Sequence, residues 1–363
     1  MAWIASLVAT TGALAQQTPP EKRLELSGFV DTYFAWNTNK PFDHENWFTG
    51  MGTSAKRADT LDINLAQFSL LMTPDPVGFH LTLGYGRSEE VLHLSEGEEN
   101  AFDNVLQASV QYQTKVGRGL LVEGGIFPSP IGMEVLQTKD DWNYTRSYLA
   151  EFSPYYLAGV KVAYPFTERW SGQILLVNGW QVITDNNRGK SIAWQVAYGG
   201  DRLTASFKGM SGPEQTDNDD DVRTLLDTVA VWKVAKLLSL GFSADYGWEE
   251  RPAEDDAGWK GAALYARLTG EEWKTAYAAR GEIYDDEDGA ISGIPQTLRD
   301  VTGTFEYRPV DALIVKVEAR WDRSTAEVFT GDEVDVAGDP LRDERTQWLF
   351  LAGVVAVFDP GKK

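Results

Sequence analysis

From Leu24 to Phe358 the chain repeatedly alternates apolar with polar or small residues. In the stretch 237–248, Leu238, Leu240, Phe242, Ala244, Tyr246 and Trp248 share one parity. Ser239, Gly241, Ser243, Asp245 and Gly247 share the other. A spacing of two puts successive side chains on opposite faces of a strand. Segment 312–322 repeats the design, with Leu313, Val315, Val317, Ala319 and Trp321 opposite Ile314, Lys316, Glu318, Arg320 and Asp322. Such segments recur to the C-terminus with no helical period between them. Strand 59–72 is the irregular one. Leu61, Ile63 and Leu65 keep one parity while Phe68, Leu70 and Met72 take the other, which predicts a bulge near Leu65–Ala66.

The connections carry as much information as the strands. Those at 73–78, 115–119, 165–169, 199–201, 233–236, 270–272 and 308–312 are short. Those at 39–58, 87–103, 128–154, 181–190, 213–223, 249–257, 285–297 and 323–345 are long and polar. Short and long alternate, which predicts about sixteen strands with both chain ends on the short-turn side. A soluble sandwich has no reason to collect every long connection at one end. A line of Lys, Glu, Arg and Asp also has no place in a soluble core, but it fits a water-filled lumen while the apolar line faces acyl chains. The predicted fold is all-β: a closed antiparallel transmembrane β-barrel of about sixteen strands, with short periplasmic turns and long outer loops. Its location would be the bacterial outer membrane.

Composition agrees where it speaks. No internal segment reaches the roughly 18 apolar residues of a membrane helix, a test that is blind to barrels. With no cysteine, disulfides and thiol chemistry are excluded. The chain has 13 Trp, 14 Tyr and 16 Phe, and Trp36, Trp180, Trp248, Trp273 and Trp321 fall near strand ends, where an interfacial aromatic girdle is expected. Residues 1–15, apolar and closing on Ala13-Leu14-Ala15, predict a secretory signal peptide. The expected organisation continues with an N-terminal periplasmic segment at 16–23, the barrel at 24–358 and a C-terminal tail at 359–363. The last strand, with Trp348, Phe350, Ala352, Val354, Ala356 and Phe358 on one face, resembles the terminal signal read by the barrel-assembly machinery.

Charge is segregated. Segments 87–103, 213–223, 249–257, 285–297 and 323–345 carry −5, −4, −4, −4 and −4, together the whole net charge of −21. All five are long connections, so the outer rim is expected to be acidic. Such a rim repels anions and attracts cations within about one Debye length, about 8 Å at physiological salt.

Two stretches resemble the OmpL-like outer-membrane porin family, the beta-barrel porin-2 group. One is LDINLAQFSLLMTPDPVGFHLTLGYG (61–86). The other is NYTRSYLAEFSPYYLAGVKVAYPFTERWSGQILLVNGW (143–180), followed by DNNRGKS (185–191); the opening SGFVDTYFAWNTNKP (27–41) also fits. The family more often has Ser where Thr145 stands, and the hydroxyl is kept. The resemblance covers roughly the first half of the chain. It implies a barrel that passes small hydrophilic solutes passively, with no cofactor and no metal.

The third long connection, 128–154, is expected to fold into the lumen and narrow it, as the third outward loop does in sixteen-stranded porins. Its charged residues are Glu134, Lys139, Asp140, Asp141 and Arg146, and charges of both signs across a constriction set up a transverse field. Strand parity turns Glu123, Lys161, Arg280, Lys316, Glu318 and Arg320 toward the lumen, with Glu25, Asp31, Lys208, Asp245, Glu282, Glu306 and Asp322. The bases Arg280, Lys316 and Arg320 are expected to oppose the acids of the loop. Any single lumen charge is more often part of a salt-bridge network than a solute ligand.

Other motifs are weak. RGKS (188–191) lacks the earlier glycine of a phosphate loop, and DNDDD (217–221) is followed by Val222 where a calcium loop has Gly. His80, on a strand, has no nucleophile motif beside it. The expected function is therefore an outer-membrane porin and not an enzyme. Its partners would be outer-membrane lipids, lipopolysaccharide, the assembly machinery and small solutes, with no nucleic acid. A homotrimer is one assembly open to it. The alternatives are a structural or adhesive barrel with a blocked lumen and, further off, a barrel-embedded hydrolase.

Overall fold

A computed structural model describes residues 24–47, 51–96, 101–252, 255–270 and 274–360. The expectations for residues 1–15 and 16–23 and for Trp273 lie outside the described residues. The strands of the first half are β1 (Leu24–Asn37), β2 (Leu61–Met72), β3 (Val77–Tyr85), β4 (Val105–Gln113), β5 (Leu121–Pro128), β6 (Tyr156–Pro165), β7 (Trp170–Val177) and β8 (Ser191–Gly199). They continue with β9 (Leu203–Pro213), β10 (Val222–Lys233), β11 (Leu238–Glu249), β12 (Ala257–Thr269), β13 (Thr275–Asp286), β14 (Gln296–Val310) and β15 (Leu313–Ser324). A hairpin, β16 (Phe329–Val334) and β17 (Pro340–Glu344), precedes β18 (Thr346–Phe358).

Every strand except the hairpin pairs antiparallel with its neighbours in sequence, and β1 pairs with β18 to close the barrel. The result is a closed antiparallel barrel of sixteen strands. Closure leaves no unpaired edge, the condition for backbone in hydrocarbon. Long and short connections alternate around it, and β16–β17 belong to the last long loop.

Alternation becomes two-sidedness. On β11, Leu240, Phe242 and Tyr246 are exposed while Ser243 and Asp245 are buried. On β15, Val317 is exposed while Lys316, Glu318, Arg320 and Asp322 are buried. The exposed apolar line is the lipid face. Leu240→Arg is therefore expected to cost about 2–4 kcal/mol near the midplane. Unfolding in bilayers by denaturant measures it, and a loss as small as that of an outer-loop substitution would contradict the assignment.

Aromatic residues gather at both ends of the wall. Trp36 stacks on Phe350 at 5.6 Å and Trp348 on Phe350 at 6.0 Å, all at the long-loop end. Trp170 with Tyr198 at 5.0 Å, and Tyr277 with Phe305 at 5.2 Å, stand toward the short-turn end. Trp180 does not belong to the girdle. It follows β7 in a long loop, meets Trp259 edge-on at 6.4 Å and lies under the Arg223 guanidinium at 5.4 Å. It turned inward because apolar partners were available inside the barrel.

The bulge falls at Asn64, one residue before the predicted pair. Asp31 faces Leu65 and Thr32 faces Ile63, which leaves Asn64 without a partner. Its amide bonds Asp31 at 2.9 Å, so the irregularity turns an inward carboxamide onto a buried carboxylate.

Orientation has a direct check. Cysteines replacing exposed Asp220, Asp255 or Val336 in the long loops should react with an impermeant thiol reagent on intact cells. Cysteines replacing Val116 or Lys236 in the short turns should not, and the reverse pattern would invert the topology.

Candidate functional site in the barrel lumen

The connection between β5 and β6 enters the barrel and lies against one half of its inner wall. A short helix, α1 (Tyr148–Glu151), sits within it. What holds the loop is its backbone. A loop inside a barrel has no ladder partner, so its N–H and C=O groups need side-chain partners. Glu318 on β15 accepts from the Tyr144 and Thr145 N–H groups at 2.5 and 2.9 Å. Glu282 on β13 accepts from the Tyr148 and Leu149 N–H groups at 2.8 and 2.7 Å, at the start of α1. Lys316 donates to the carbonyls of Thr138, Asp141 and Asn143 at 2.6, 2.7 and 3.3 Å. Arg280 bonds the Thr145 carbonyl at 2.7 Å and Glu134 at 2.9 Å, and Arg320 bonds the Arg146 carbonyl at 2.5 Å.

The segment Asn143–Ser147, which opens the family-like stretch 143–180, supplies much of the loop's own share. Asn143 donates to Thr304 at 2.7 Å, and the Tyr144 hydroxyl donates to Asp31 at 2.9 Å. Ser147 caps α1 by accepting from the Ala150 N–H at 3.1 Å, while Glu134 receives the Ser147 N–H at 2.8 Å. Arg146 is buried and donates to the carbonyls of Val135 at 2.8 Å and Thr53 at 3.0 Å, and to that of Leu136. Gly353 on β18 makes room, since a Cβ there would stand 2.2 Å from the Tyr144 ring. Behind the loop, Met133, Tyr148, Leu149 and Phe152 join Leu225, Val229, Trp259 and Tyr265 in an apolar cluster that fills this half of the lumen.

The residues singled out from the sequence therefore divide. Glu134, Asp141 and Arg146 are buried within the loop. Lys139 and Asp140 keep partial exposure and pair with each other at 2.5 Å, the Lys139 ammonium lying 5.5 Å from the Phe29 ring centre. Arg280, Lys316 and Arg320 touch the loop directly, so they stand behind it and not across open water from it. Glu123 and Lys161 pair at 2.7 Å on the opposite wall.

Asp141 is a buried loop acid short of partners. Its Oδ1 accepts from the Val135 N–H at 2.9 Å, while Oδ2 has no hydrogen-bond partner and lies 3.8 Å from Arg146 Nε. Burial pushes its carboxyl up to about 8, against the pull of Arg146. A carboxyl raised on folding adds stability that is complete below its ordinary value of 3.8 and is lost as pH rises through about 8. Asp141→Asn keeps the acceptor and removes the charge. It should flatten the fall in unfolding midpoint across that window and stabilise the protein at its alkaline end; a retained slope would move the titration elsewhere.

Among the described residues, an open space lies on the other side. A cavity of about 230 Å³ is bounded by residues 128–137 and 153–156 and by Leu106, Lys161, Gln173, Gln195, Ser206 and Lys208 of the wall. Sequence reasoning had named the two lysines of this wall and passed over its amides, whose only signal was inward parity. His80 lies on this side too, its Nε2 3.2 Å from Thr82 Oγ1, which is 3.1 Å from Ser69 Oγ.

A closed barrel with a polar interior, long loops at one end and a loop folded inside is the architecture of an outer-membrane porin. The family described as beta-barrel porin-2, OmpL-like, matches residues 23–358, and the chain belongs to it. Its place is the bacterial outer membrane. No curated protein matches the sequence. Among solved structures, the anion-selective porin of Comamonas acidovorans is similar, with 13% identity, 93% of this chain and 100% of that one covered, and a TM-score of 0.64. The outer-membrane channel DcaP of Acinetobacter baumannii has 9% identity, 94% and 99% coverage and a TM-score of 0.60. OmpT of Vibrio cholerae, solved in a trimer form, has 10% identity, 93% and 100% coverage and a TM-score of 0.58. At these identities the likeness is one of fold.

Proposed function

We propose that small hydrophilic solutes cross this porin passively through the space between the inward loop and the β4–β9 wall, with the loop as the constriction and no chemical step. The carrying observation is the division of the lumen: the loop is bonded to one half of the wall, and a cavity of about 230 Å³ remains against the other, with Lys161, Gln173, Gln195, Ser206 and Lys208 on its wall side. The acidic outer loops concentrate cations at the mouth, an effect that weakens with salt. Glu123 and Lys161 neutralise each other within the channel. The reading is thus a weakly selective channel leaning to cations at low salt. Assembly as a homotrimer belongs to it, by likeness to the trimer form of OmpT. Conductance of the purified protein in a planar bilayer tests it: discrete open steps with a small cation-directed reversal potential are expected. A barrel that inserts and stays silent would instead be the structural or adhesive one.

A further inference from the structure

We propose that the solutes this channel favours are neutral and polyhydroxylated, of monosaccharide size. The inference rests on the porin reading above and names its substrate class. Two halves of one lumen are built from different chemistry. Ionic anchors of the loop, such as Asp31, Arg280, Glu282, Lys316 and Glu318, project from β1, β13 and β15 and are occupied by the loop. Across the cavity the wall presents two carboxamides and a hydroxyl, with two lysines. Gln173 and Gln195 are direct cross-strand partners, and the amide of the first donates to the second at 2.8 Å. Ser206 stands on β9 beside them.

The two ammonium groups on this wall do not alter its neutrality. Lys161 lies 2.7 Å from Glu123, and Lys208 lies 2.9 Å from Asp227 while donating to the Gly132 carbonyl at 2.6 Å. An ion squeezed past such a wall sheds hydration and meets no unspent opposite charge. A sugar meets groups that both donate and accept, as its own hydroxyls do. Half-buried Tyr155, with Leu106 and Ile131, borders the same cavity and offers apolar surface to the C–H face of a pyranose.

The test uses the full-length protein in vesicles loaded with radiolabelled glucose, glucosamine or gluconate, with KCl conductance measured in parallel. Glucose should leave faster than either charged analogue. Replacing Gln173 and Gln195 together by leucine should lower glucose release, relative to KCl conductance, by about fivefold. Asp220→Asn, in an outer loop, should leave the glucose rate unchanged. Conductance with gluconate or glucosamine released as fast as glucose, or a double variant with an unchanged ratio, overturns the solute class and leaves the porin. Absence of both conductance and release overturns the porin reading and this one with it.

Discussion

Arg280→Met is expected to destabilise the barrel by about 3–5 kcal/mol, the usual cost of removing one partner from a buried ionic group. The guanidinium is buried, bonds Asp300 at 3.0 Å and Glu134 at 2.9 Å, and holds the Thr145 carbonyl at 2.7 Å. Its loss takes the nearest cation from two buried carboxylates, Asp300 then keeping Arg320 at 3.4 Å and Glu134 the Ser147 and Tyr265 donors, and leaves the Thr145 carbonyl without that donor. The same change frees the middle of the inward loop, so open-channel noise should rise with the fall in stability. Denaturant unfolding in bilayers and single-channel recording read the two effects separately. Adding Asp300→Leu and Glu134→Gln removes the stranded charges and should recover much of the loss. A single variant as stable as the parent would mean that the loop is not docked where it lies here.

Excising residues 134–142 should raise single-channel conductance severalfold. These residues form the descending limb of the loop, and current through a narrow aqueous path follows its narrowest section. The anchors from Asn143 to Ser147 stay in the chain, so the wall carboxylates keep most of their partners. Unchanged conductance would place the constriction elsewhere and leave the barrel intact.

The wall was readable from sequence because period two survives in nearly every strand, and because loops of unequal length betray the two sides of a membrane. The bulge was displaced by one residue because Asn64, polar on an inward site, looked like ordinary alternation. The inward charges were found by parity, but not all of their partners were. Arg280 was expected to oppose the acids of the loop and does pair with Glu134 at 2.9 Å, but its contacts with Asp300 and the Thr145 carbonyl were not foreseen. Lys316 instead takes the backbone carbonyls of Thr138, Asp141 and Asn143, in a loop whose course no periodicity records. The same blindness hid the filled half of the lumen, where Ser243 is buried near Val229 and Ala263 and not bathed in solvent. The amides of Gln173 and Gln195 drew no attention because uncharged polar residues are what any barrel interior contains.

Tyr144 has a consequence for assembly. Its hydroxyl reaches Asp31 on β1, its N–H reaches Glu318 on β15, and its ring rests over Gly353 on β18, the strand between them. Those anchors lie 113 and 174 residues away along the chain, on either side of the seam where first and last strands meet. Contacts so distant in sequence form late. An unsealed barrel holds β1 and β15 apart and gives this tyrosine nothing to bridge. On the proposed role of the loop, sealing the seam and narrowing the passage are thus successive turns of one lock, and a barrel that has not finished folding is also one whose loop has not docked.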